Sequence, residues 1–229
     1  MVLIQVNSPN WFFGVDCFLE LGASLITFLV FLVAIKVYKF TKQKRYFFLA
    51  GSFLLLSGSF AARALTDLVI EGLIPARVEY LVTKAPVLQG FFPGAGNFLV
   101  YAGFVTHIML ALTSYLILVI LTNKIQSKAL MLLLFATILP QVLISGSYFL
   151  SFYYLTTVML CFISFAFLRN CFRQKGVTSL LVSIAFILIA FAQIQFLLAT
   201  LNTLFHVSAH ITQFIGYVIL LAALKVILK

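Results

Sequence analysis

A chain of 229 residues that is 64% hydrophobic and 9% charged, with a mean hydropathy of +1.19, cannot hide its apolar surface in a water-soluble fold. Lipid must solvate most of it, and the expected class is an all-α, polytopic membrane helical bundle forming a single domain over 1–229. The net charge of +10 is a topology signal and no sign of a nucleic-acid partner, because the basic residues fall in short turns beside apolar runs.

The first seventeen residues, MVLIQVNSPNWFFGVDC, hold no Lys or Arg and no small-residue cleavage site, so the first helix is expected to act as its own signal. Trp11, beside Phe12 and Phe13, reads as an interfacial anchor. The first apolar run extends from Phe13 to Val37, with Asp16, Glu20, Ser24 and Thr27 along one stripe. The second, Tyr46 to Ile70, sets Arg63 and Asp67 at i, i+4, where they can pair. An outer loop follows over 71–96, in which Pro75 to Lys84 is expected to form a short surface helix, a candidate lid.

The third run, Asn97 to Thr122, aligns Gly103, His107, Ala111 and Ser114, with Gly96 just before it, on a face narrow enough for close helix approach. The fourth, Ala129 to Ser145, is the shortest, and Pro140 predicts a kink. A tight SGS turn at 145–147 joins it to the fifth, Tyr148 to Leu168. The sixth, Val177 to Leu201, carries Gln193 and Gln195 as helix-packing groups. On the seventh, Phe205 to Leu228, His206, His210, Gln213 and Tyr217 fall within about 40° of one another. Seven transmembrane helices result.

Twelve of the fifteen Lys and Arg residues flank the first, third and fifth connections and the C-terminus, whereas all five acids lie on the opposite side. The positive-inside rule then places the N-terminus outside and the C-terminus in the cytoplasm of a multi-pass cell-membrane protein in contact with anionic lipid. Cys17, Cys161 and Cys171 fall at different depths on different helices, so no disulfide is expected, and Cys171 is a juxtamembrane thiol open to acylation.

At about 1.5 Å of rise per residue, Glu20, Arg63, His107, Gln193, His206 and His210 all lie about 22–28 Å above the nearest basic residue, and Asp67 about 33 Å. Polar stripes in hydrocarbon must turn inward, which predicts an outward-facing polar pocket or a polar core within the bundle, built from Glu20, Arg63, Asp67, His107, His206, His210, Gln213 and Tyr217. Two readings stay open for the histidines: a hydrogen-bonded seam between helices, or a site for a ligand, proton or metal.

The last helix, HVSAHITQFIGYVILLAALKVILK, resembles that of the multi-helix membrane sensor modules of prokaryotic histidine kinases and cyclic-nucleotide enzymes in its outer His, central Gly-Tyr and terminal basic residues. That resemblance implies a receptor-like sensor whose output passes through a cytoplasmic or membrane protein partner. A second resemblance, to progestin and adipoQ receptor-like membrane hydrolases, rests on ligand types. His107, His206, His210 and Asp67 would be zinc ligands, although Gly103 stands where those enzymes carry Ser and Asp67 is on the preceding helix. A retinal protein would need a lysine midway along the seventh helix, and Lys225 and Lys229 are at its end. A b-type haem between His107 and the seventh helix has no porphyrin-pocket signature to support it. The expected function is therefore a sensor or ligand-binding bundle with no cofactor. A structural or accessory subunit of a membrane complex and a zinc-dependent hydrolase are the alternatives.

Overall fold

The computed structural model describes residues 9–12, 14–70, 95–145 and 149–227. All regular structure among them is helical. A 3-10 turn, Asn10–Phe12, precedes α1 (Val15–Thr41), α2 (Lys44–Ile70), α3 (Ala95–Thr122), α4 (Lys128–Ser145), α5 (Phe149–Gln174), α6 (Val177–Leu198) and α7 (Thr203–Ile227). Six of these, all except α4, are long and apolar enough to cross a membrane, which gives the chain a multi-pass membrane architecture. The 18 residues of α4 continue through Pro140 and rise about 27 Å, just short of a typical hydrocarbon core of about 30 Å. The candidate lid at Pro75–Lys84 and most of the SGS turn fall outside the described residues.

The helices outlast their apolar runs at the basic end. α1 continues to Thr41 and α5 to Gln174, so Lys39 and Arg173 occupy last turns, where a cation complements the helix dipole. Just beyond the ends of α1, α3 and α5, Lys42, Lys124 and Lys175 adopt the left-handed region, at φ 55, 53 and 50°. Glycine or asparagine adopts that conformation with less strain, so each of these turns places a cation at a backbone position that lysine fits poorly.

α1, α2, α3, α5, α6 and α7 pack in that order into a closed ring, α7 returning to α1, while α4 lies outside and packs against α3 and α5. Close approach is built into several seams. Ser24 and Ser57 each donate their hydroxyl to the other's backbone carbonyl, at 3.0 and 2.9 Å, and lock α1 to α2. The small-residue face of α3 meets α2 as its sequence suggests: Ser114 donates to the Ser52 carbonyl at 2.8 Å, and Gly103 lies directly against the Thr66 side chain. Gly216 of α7 lies where an added Cβ would stand 2.7 Å from Ile189 of α6. Outside the ring, Phe18, Phe162, Phe165 and Phe172 are exposed, as lipid-facing side chains should be.

Candidate functional site

The ring closes around polar groups in the half of the bundle away from the basic turns. Arg63 is the only Lys or Arg in that half among the described residues. Its Nε lies 2.6 Å from Glu20 Oε1 across the α1–α2 seam and 4.0 Å from Oδ2 of Asp67. Glu20 is thus the nearer partner, and the i, i+4 pairing with Asp67 read from spacing is present at the longer distance. α1 turns Glu20 inward on the stripe that also buries Asp16 and Thr27. A guanidinium takes partners in several directions, and here Nη1 donates to the Tyr153 hydroxyl of α5 at 3.1 Å while the Cζ carbon sits 5.8 Å from the centre of the Phe196 ring of α6. Tyr153 and Phe196 stack at 4.9 Å, so the arginine is held against a rigid aromatic shelf.

The histidines divide into two groups. On α7, one turn apart, His206 and His210 meet Nε2 to Nε2 at 3.2 Å, so one ring donates to the other. Nδ1 of His210 stands 3.9 Å from Glu20 Oε1, beyond direct hydrogen-bond reach. Phe12, from the 3-10 turn, covers the pair with ring centroids 6.5 and 5.9 Å away, and Phe196 closes the other side. His107 has a different setting. The Ser59 hydroxyl lies 2.8 Å from His107 Nδ1 and donates to the His107 carbonyl at 3.0 Å, and His107 Nδ1 reaches the Ser59 carbonyl at 3.0 Å. The Nδ1–H tautomer satisfies both bonds, leaving Nε2 as a buried acceptor with no partner among the described residues.

Two small cavities flank Glu20. One is bordered by Glu20, Arg63, His107, Tyr115, Gln193 and Gln213 among others, the second by Glu20, His210, Gln213 and apolar neighbours. Each offers about 10 Å³ to the centre of a water molecule, room for one water apiece and too little for an organic ligand in this conformation. Below them the hydroxyls of Tyr115 and Tyr217 approach to 3.3 Å, and Gln193 accepts from Thr156 at 3.1 Å.

Of the residues proposed from sequence, Glu20, Arg63, Asp67, His107, His210, Gln213 and Tyr217 surround this core, and His206 joins it through His210. Phe12 caps the α7 pair. Among the described residues no three His, Cys, Asp or Glu side chains are disposed to hold one metal ion. His107 and the α7 pair approach Glu20 from separate cavities. Tyr115, Tyr153, Phe196 and Phe12 were not legible as site residues. Tyr115 lies two turns below His107 on α3, a periodicity that could have flagged it, whereas nothing in the sequence connects Phe12 with α7. No protein-family model matches the chain, and no curated protein or solved structure matches it significantly.

Proposed function

We propose that the chain is a receptor-like sensor of the cell membrane, with its N-terminus outside, that responds at the Glu20–Arg63 cluster and signals through a protein partner. One observation carries the reading. A buried ion pair in the apolar half of a membrane bundle is costly to maintain, and this one is bordered by groups from α1, α2, α3, α5, α6 and α7, so a change of charge there reaches every helix of the ring. A purely structural subunit needs no such group, since serine and small-residue seams already join α1, α2 and α3.

Seven spans fit the same arrangement. α3 ends at the basic turns and Tyr153, near the start of α5, bonds Arg63, which supports α4 as the return crossing between them. The basic turns favour a cytoplasmic C-terminus.

The test is thermal stability of the detergent-purified chain against a panel of small ions, acids and amines, at one pH. A ligand at a hundred times its Kd stabilises by about 2.7 kcal/mol, and an Arg63→Lys variant, which keeps the charge but loses the planar fork, should lose most of that gain. A panel without any Arg63-dependent stabilisation would count against the sensor reading. Metal analysis of the same preparation addresses the hydrolase alternative, which requires bound zinc at about one per chain.

A further inference from the structure

We propose that Glu20 is a proton-binding site, hydrated by one water on each side and coupled through these waters to His107 and His210. The proposal deepens the sensor reading by naming the proton as what the cluster detects.

Geometry carries it. The two water-sized cavities both border Glu20, one opening toward His107 and the other toward His210. Glu20 Oε2 and His107 Nε2 are buried with no hydrogen-bond partner among the described residues, and both residues line the first cavity. A water there finds an acceptor in each, together with side-chain amides from Gln193 and Gln213, and so meets the two to four partners that an internal water requires. The 3.9 Å gap between His210 Nδ1 and Glu20 Oε1 is a separation that a bridging water spans. With His206 donating to His210 Nε2, the proton of His210 rests on Nδ1, facing that gap.

Charge gives the reason for proton uptake. Two carboxyls, Glu20 and Asp67, share a single guanidinium. With both ionised the trio carries one uncompensated negative charge within an apolar bundle. When hydronium gives its proton to Glu20 and departs as water, an O–H bond forms on the carboxyl and the trio becomes neutral, Asp67 balancing Arg63. The other titratable groups facing Glu20 are Asp16, one turn earlier on α1 and holding the Cys17 amide at 2.9 Å, His107 and Tyr115 from α3, Tyr153 from α5, and His206 and His210 from α7. None of them supplies a second fixed cation.

Infrared difference spectroscopy of the full chain in liposomes tests this directly. Glu71 and Glu79 are the only other glutamates, so the Glu71→Gln/Glu79→Gln variant leaves Glu20 as the sole one, and glutamate carrying heavy carbon in its side-chain carboxyl then reports Glu20 unaltered. On acidification an isotope-shifted carboxylic-acid band should appear, accompanied by a change in the stretching band of weakly bonded internal water that is lost in His107→Phe. No labelled acid band at any pH at which the chain stays folded would overturn the proposal. So would a labelled carboxylate that responds to sodium in place of choline at fixed pH, which would make the site a metal-cation site. Either result leaves the Arg63-dependent ligand stabilisation to be judged separately, so failure of proton binding and failure of the sensor reading are distinguishable.

Discussion

Arg63 Nε lies 2.6 Å from Glu20 Oε1, on a neighbouring helix, but 4.0 Å from Oδ2 of Asp67, one turn along its own. The longer route in sequence is the shorter one in space because α1 and α2 run antiparallel and in contact, with Ser24 and Ser57 bonded below the pair. Removing the shared cation should therefore cost more than removing either carboxylate. Arg63→Gln leaves two carboxylates facing each other and should destabilise the detergent-solubilised protein by about 3–5 kcal/mol. Asp67→Asn should cost less, because Glu20 still pairs with the guanidinium. The Glu20→Gln/Arg63→Gln double variant should recover part of the Arg63→Gln loss. Simple additivity of the Glu20→Gln and Arg63→Gln single effects in denaturant titrations would show that the pair is not coupled.

Glycine substitutions test the ring geometry. A Cβ at Gly216 would stand 2.7 Å from Ile189 Cγ1 and 3.1 Å from the Ala185 carbonyl, which is backbone and cannot step aside. Gly216→Ala should cost about 1–3 kcal/mol, the usual range for overpacking. At Gly51, on α2, an added Cβ would meet nothing within 4 Å, and Gly51→Ala should be neutral or stabilise by up to about 1 kcal/mol through helix propensity. Equal melting shifts for the two variants would contradict the packing of α7 on α6.

Much of this fold was legible because the membrane simplifies the reading. Hydropathy located the seven α-helices among the described residues, and the stripe of Gly103, His107, Ala111 and Ser114 marked the face of α3 that meets α2, since in hydrocarbon small and polar groups have only other helices to turn toward. Depth along each helix brought Glu20, Arg63, His107 and His210 to one level, and the structure gathers them there. What spacing could not give was the order of helices around the ring. That order makes Glu20 the partner of Arg63, sets His107 apart from the α7 pair and leaves α4 outside. Tyr153 was hidden for the same reason, since only the neighbourhood of α2 and α5 turns an ordinary aromatic residue into an arginine ligand.

Orientation yields a separate prediction. If the basic turns face the cytoplasm, as proposed, a cysteine placed at Lys128 should resist membrane-impermeant maleimide added to intact cells and label after permeabilisation. The native thiols complicate this little, because Cys17 is buried, the exposed Cys161 lies within the apolar span of α5, away from water, and Cys171 lies at the same end as Lys128. Efficient labelling at 128 in intact cells would reverse the assigned topology.

Phe12 offers the sharpest test of how the polar core is closed. The residue belongs to a single 3-10 turn, held by its amide bond to the Pro9 carbonyl at 2.8 Å, yet it is only 2% exposed because its ring covers His206 and His210. Burial of the ring against both histidines is one contact that holds this turn to α7. Phe12→Ala removes that contact without altering any hydrogen-bond partner of the histidines. Diethyl pyrocarbonate should then modify His206 and His210 several-fold faster, as followed by peptide mass spectrometry, while His107, shielded by Phe60 and Phe152, keeps its slow rate. Phe12→Leu should fall between the two. If all three histidines accelerate together, the substitution has loosened the whole bundle, and if none does, access to the core does not pass beneath Phe12.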